Sequence, residues 1–390
     1  MRKALSFIFS LIICSNLAIP DLIEVYKKGI IKLTADPNFG KGTEWESLFY
    51  DTYKSMTIIE DGTIFVSNSR NHNIFKFNSS GELAGTYGKQ GLGPGDLSSP
   101  GHLSILDGRY LVIDEYSLLR RISVFDFFGK CIRVLKTDHS ASFSTALKDN
   151  KIAYIYTDTS AMLKSGKLKH SVYIKDIASG GEYPVISCEL PEKNFVMIDG
   201  MMVSIGSISP KGNLILNRTL DGNLVVGISN NPDIRIYSPE GKLLRSFQLK
   251  LKPIPVTDDY IKKSKDLFLS ELKTGGTKYN SELVKKFEKL SFKEYSQPFF
   301  PLYNEILVDA EGNFLIFKSS ECLENCNEVF QVYSPGGEYI CETTIDKGDF
   351  DFTIGGTFQN IVFSKDAIYG LFQLKNSEDV SLRLVRVVLK

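Results

Sequence analysis

The 390-residue chain has no surplus of either charge: 46 lysines and arginines stand against 46 aspartates and glutamates. Without a net positive field, nucleic acid and an acidic membrane surface are poor partners. Long apolar runs are missing as well. The N-terminal stretch Ala4 to Ile13 is about half the ~20 residues that a membrane-spanning helix needs. No G-x-S-x-G elbow and no H-E-x-x-H pair occurs, so serine hydrolases and zincins have no motif support. Histidine is scarce, with four in all. Disorder is not among the options, because 43% hydrophobic and 12% aromatic residues suffice for a large buried core.

The first segment reads as a secretory signal over residues 1–18: Met1-Arg2-Lys3, the short apolar stretch, then Pro20. An exported protein of the periplasm or cell envelope is therefore expected. Leu11-Ile12-Ile13-Cys14 resembles a bacterial lipobox, although Ile13 stands where that motif takes a small residue. Cleavage after Ala18 is the alternative, with Asn16 where a small residue is usual. The lipobox reading makes Cys14 a lipidation candidate, and that anchor is the only membrane attachment expected.

Five cysteines remain after Cys14, an odd number that cannot pair fully within one chain. Cys322 and Cys326 are spaced for a small disulfide loop in an oxidising compartment. Free thiols are one alternative, and a metal site, which needs two further ligands nearby, is another. Cys131, Cys188 and Cys341 sit in apolar runs and read as small buried hydrophobes.

Turn signals organise the rest. Asp61-Gly62, Asp107-Gly108, Asp149-Asn150, Asp221-Gly222 and Glu311-Gly312 each separate two β-type runs, as hairpin turns do. A second turn glycine follows each, at Gly81, Gly129, Gly180, Gly241 and Gly337. The first unit then has strands over 55–60, 63–68, 73–78 and 82–87, and the second over 102–106, 109–114, 121–126 and 130–136. A four-stranded antiparallel unit recurring every ~40–50 residues has the period of a β-propeller blade. Such sheets bury both faces only by stacking radially on one another.

Between Gly222 and Gly312 the spacing doubles, and the excess, residues 257–298, has a helical pattern. Ile261, Phe268 and Leu272 share one face, and Leu283, Phe287 and Leu290 another. A helical insertion outside the ring is expected, with Ile261, Phe268, Leu283 and Phe287 packed on it. Its lysines read as a solvated face rather than a nucleic-acid patch, because acidic residues are interspersed and stacking aromatics are missing. The C-terminal strands, 358–363, 367–373 and 381–389, are one short of a sixth blade. The run Ile30 to Leu33 is expected to pair beside Leu382–Val388 and close the ring, giving an all-β, six-bladed β-propeller over 19–390.

Residues 62–88, GTIFVSNSRNHNIFKFNSSGELAGTYG, resemble an NHL repeat, including the Asn71-His72 pair. Gly88 to Asp96 resembles the glycine-rich inter-blade loop of NHL propellers and of the related bacterial six-bladed family. In that loop no Gly-Lys-Ser/Thr ending follows and Asp96 would repel a phosphate, so it reads as a tight blade connection. The resemblance implies the fold and export, with no settled biochemical role. It also implies that Asp114 and Arg121 brace the blade 2 loop, as an ion pair rather than as catalytic groups, and that Asn68 and Asn73 form the uncharged counterpart in blade 1.

Two functional classes follow. The first is a monomeric, non-enzymatic binding protein without cofactor, whose loop face, carrying Arg70, Asn71, His72, Glu115, Tyr116 and Arg120, engages a protein, peptide or glycan. The alternative is a metal-dependent lyase or hydrolase with calcium or zinc at the channel mouth. Its candidate ligands are His72, His102, His139 and His170, all expected on the face of the blade-linking loops.

Overall fold

A computed structural model of the protein describes residues 21–41, 43, 55–115, 120–139, 141–158, 160, 167–191, 195–198, 201–204, 211–274, 281–323, 326–351, 361–365, 367–374 and 382–388. The signal segment with Cys14, and Tyr116, lie outside these residues.

Helix α1 (Leu22–Lys27) and strand β1 (Ile30–Lys32) precede six antiparallel sheets. Blade 1 contains β2 (Met56–Ile58), β3 (Ile64–Asn68), β4 (Asn73–Phe77) and β5 (Leu83–Tyr87). Blade 2 contains β6 (Pro100–Leu106), β7 (Tyr110–Glu115), β8 (Arg121–Asp126) and β9 (Cys131–Lys136), and blade 3 contains β10 (Ala141–Leu147), β11 (Lys151–Asp158), β12 (Lys167–Asp176) and β13 (Glu182–Pro191). A hairpin, β14 (Phe195–Ile198) and β15 (Met201–Ser204), leads into blade 4, formed by β16 (Leu214–Arg218), β17 (Leu224–Ile228), β18 (Asp233–Tyr237) and β19 (Leu243–Gln248). Blade 5 holds β20 (Tyr303–Val308), β21 (Phe314–Lys318), β22 (Glu328–Tyr333) and β23 (Tyr339–Asp346). Blade 6 holds β24 (Phe350–Asp351), β25 (Ile361–Phe363), β26 (Ala367–Leu374) and β27 (Leu382–Val388). All ten turn positions read from the sequence have positive φ, including Asp107-Gly108 and Asp149-Asn150, where both central residues do, as a type I′ hairpin turn requires.

Adjacent residues of a strand point to opposite faces, so each blade feeds two interfaces. In β17, Val226 packs toward blade 3 while Val225 packs toward blade 5. Six apolar clusters result, one per blade junction, and the last joins Ile64 and Phe77 of blade 1 to Leu371 and Leu384 of blade 6. First strands neighbour one another about the axis and are buried, β6 along its whole length, whereas fourth strands such as β19 are largely exposed.

Ring closure differs from the expected pairing. Strand β1 adds in parallel to β23 of blade 5, with Ile30 opposite Thr344, and not to β27. The cause lies in α1, whose Leu22, Val25 and Tyr26 are buried at the blade 5–6 junction. Tyr26 donates its hydroxyl to Asp309 Oδ2 (3.0 Å), and its carbonyl accepts from Thr343 Oγ1 (2.6 Å). That anchorage directs Ile31 and Leu33 into the same core along blade 5. The chain reaches β27 only afterwards, through the bridge Ala35–Val387 and the bond from Asp36 N to Arg386 O (2.8 Å).

The insertion consists of α2 (Asp258–Thr274), α3 (Ser281–Lys289) and a 3-10 turn (Phe292–Tyr295). Ile261, Phe268, Leu283 and Phe287 face inward as expected, yet they pack on one another, on Phe292 and on Ile198 of β14 rather than on the ring. These elements complete an apolar core of their own. The ring is reached through the edge contact of Tyr260 with Phe300 (4.8 Å between centroids) and the bond from Val256 N to Pro298 O.

Candidate functional site

Strands within a blade alternate in direction. First-to-second and third-to-fourth turns therefore share one face of the ring, the turn face, while second-to-third loops and blade connections share the other. On that loop face Arg70, Asn71 and Arg120 are exposed and His72 is half-buried, its Nδ1 bonded to the Ser98 carbonyl.

Glu115 does not belong with them. It is buried and paired with Arg121, whose Nη2 donates to Glu115 Oε2 (2.8 Å). The same guanidinium donates to the carbonyls of Leu92 (2.9 Å) and Asp96 (3.0 Å), so the pair clamps the glycine-rich loop. The expected Asp114–Arg121 brace is displaced by one residue. Asp114 lies opposite Ile122, which places Glu115 opposite Arg121 and on its face of the sheet. Asp114 instead accepts from the backbone N–H of His102 (2.8 Å) beside Ser144, and burial pushes its carboxyl up to about 7. In blade 1, Asn68 and Asn73 are cross-strand partners, and Asn68 Oδ1 accepts from Asn71 N (3.1 Å).

The four histidines do not converge. His102 is buried, with Nδ1 bonded to the Ser144 carbonyl and its ring on Phe143; His139 stacks on Tyr156; and His170 bonds Thr157. Among the described residues no group of three His, Cys, Asp or Glu side chains is placed to hold a metal. Cys322 and Cys326 form a disulfide (Cα–Cα 6.2 Å), while Cys131, Cys188 and Cys341 are half-buried free thiols.

A concavity lies elsewhere, on the opposite face. A cavity of about 780 Å³ opens at the turn face of the channel, walled by the first-to-second-strand turns of blades 1, 4, 5 and 6. Ile58, Val308, Ala310 and Val362, each partly exposed, give it apolar walls, and Leu220, 64% exposed, stands at its rim. Its polar interior comes from the end of β16. Asn217 Nδ2 donates to the Ile306 carbonyl of blade 5 (2.8 Å), and Arg218 Nη1 reaches past blade 3 to the Ile105 carbonyl of blade 2. Burial pulls the Arg218 pKa down, but a guanidinium remains a cation at any physiological pH. In the channel wall, three residues before Val308, Glu305 is buried with the Ile306 N–H as donor (3.0 Å), and desolvation raises its carboxyl to about 8.

Sequence reading missed Arg218. A signal was available: four residues before the turn glycine, where blade 4 has Arg218, blades 1 and 5 have Ile58 and Val308, and blade 3 has Ala146 four before Asn150.

Residues 53–206, which span blades 1 to 3, match a family model described as a 6-bladed beta-propeller. The chain is a six-bladed β-propeller. In sequence, no curated protein matches this propeller. Similar solved structures include a Bacteroides fragilis protein (12% identity, 93% of this chain and 99% of that one, TM-score 0.49) and a DUF4221-family member from Bacteroides vulgatus (11%, 92% and 95%, 0.48). A gluconolactonase from Xanthomonas campestris is similar at 11% identity over 87% of this propeller and 88% of that chain, with TM-score 0.42.

Proposed function

We propose that this propeller is an exported, non-enzymatic binding protein whose ligand enters the turn-face cavity of the channel. One observation carries the reading: turns of four blades enclose about 780 Å³ with apolar walls and a few convergent polar groups. That size and lining suit a small ligand or the end of a peptide or glycan. Export rests on the signal pattern of residues 1–18. Among the described residues no helix is long and apolar enough to cross a membrane.

The test is a small-molecule screen by thermal shift on the wild type beside Thr57→Trp, which fills the cavity from β2. Ligands that raise the melting temperature of the wild type and not of the variant support the reading. Ligands that stabilise both proteins equally would place the site elsewhere, with the exposed loop residues Arg70 and Arg120 next to be changed.

A further inference from the structure

Arg218, half-buried at the cavity, differs from the buried cations of the ring. Arg121 faces Glu115, Lys175 faces Glu182 and Lys347 faces Glu328, each pair buried together. Arg218 makes no ion pair with a described residue; its side chain bonds a neutral carbonyl, and Asp107 acts on it only at a distance. A half-buried cation without a counter-ion has lost part of its hydration with no charge to replace it, and a ligand that brings the anion offsets that loss. The other charges around the cavity do not serve Arg218. Arg386 pairs with Asp36 (3.2 Å), and Asp309 accepts from Tyr26, Glu311 N and Asn313. Glu60, Asp61 and Lys365 are exposed at the rim.

We infer that the cavity takes a small organic carboxylate with an apolar body, its carboxylate on the Arg218 guanidinium and its body against Ile58, Val308, Ala310 and Val362. A planar guanidinium fork matches a carboxylate, and bonding Ile105 through Nη1 fixes the fork across the channel before the ligand arrives. Leu220 at the rim extends the apolar surface toward solvent. This inference rests on the cavity reading above and adds the ligand's chemistry to it.

The experiment titrates the full-length mature protein by calorimetry with N-acetyl-leucine and N-acetyl-phenylalanine, each beside its neutral amide. The acids should bind at least tenfold more tightly than the amides. Leu220→Glu and Leu220→Lys both remove the rim's apolar surface and should weaken the amides alike, but the acid-to-amide affinity ratio should fall severalfold in Leu220→Glu and rise in Leu220→Lys. Arg218→Met should reduce the acids to the level of the amides. Should that variant fail to fold, the acid–amide difference and the Leu220 pair decide alone. Acids and amides binding equally, with both lost in Thr57→Trp, would overturn the carboxylate and leave the cavity standing. Binding of neither, or binding that survives Thr57→Trp, would overturn both.

Discussion

Phe39 lies against Gly81, so close that a Cβ on the glycine would stand 2.8 Å from the ring. The same contact recurs around the ring, between Tyr87 and Gly129 and between Phe247 and Gly337: an aromatic of one blade's fourth strand covers the turn glycine of the next blade. Phe39 comes from the N-terminal segment, and its other side touches Tyr369 of blade 6 (5.8 Å between centroids). Residues 35–40 thus stand in for the fourth strand of blade 6.

Phe39→Ala should therefore lower stability by about 2 kcal/mol, less than the 3–5 of a fully buried phenylalanine because the ring is half-buried. Gly81→Ala should be at least as damaging, since φ is +82° and the added methyl meets the ring. Deleting residues 19–35 should be worse than either, because it removes the buried groups of α1 and β1. Urea denaturation checks all three, and an unchanged midpoint for the deletion would refute closure by this segment.

Breaking the buried clamp of blade 2 should cost more than removing it. Arg121→Met leaves Glu115 buried without a counter-charge and should destabilise by about 3–5 kcal/mol. The double change Glu115→Gln with Arg121→Met should recover part of that loss. Chemical denaturation of the single and double variants, taken as a cycle, measures the coupling.

Stability should fall as pH rises from about 4.5 to about 8. Burial raises the carboxyls of Glu305 to about 8 and Asp114 to about 7, so the folded protein holds protons that the unfolded chain has already released. Their contribution is fully present below the unfolded values and is lost as pH passes through the folded ones. Glu305→Gln should flatten this slope and raise stability at pH 8 by a few kcal/mol, with little effect near pH 4. Urea midpoints across the pH range provide the measurement.

Thiol labelling should find three cysteines in the folded region that are free and slow to react. Burial raises the thiol of Cys188 to about 11 and those of Cys131 and Cys341 in the same direction, which keeps thiolate scarce. Mass spectrometry without reductant should leave Cys322 and Cys326 unlabelled; labelling of both would refute the disulfide.

Cys14→Ser should abolish incorporation of radiolabelled palmitate and release the protein from the membrane fraction. If the wild type incorporates none and its mature N-terminus is Ile19, cleavage follows Ala18 instead.

The blade count, the strand limits of blades 1 and 2 and the helical insertion were all legible in the sequence. The reason is local: a turn that needs positive φ selects glycine, asparagine or aspartate within a few residues, and strand or helix periodicity can be read between such marks. Spacing put Cys322 and Cys326 within reach of each other but left free thiols and a metal site open, and the structure pairs them.

Whatever depended on which surfaces meet was decided by tertiary structure. Glu115 rather than Asp114 pairs with Arg121 because register, set by the whole hairpin, assigns side chains to faces, and a shift of one residue exchanges them. The N-terminal segment follows blade 5 before blade 6 because Tyr26 finds Asp309, 283 residues away. Arg218 reads locally as an ordinary strand-end cation. Only the ring brings the Ile105 carbonyl to its guanidinium and leaves it half-buried at the cavity, without an ion pair to a described residue.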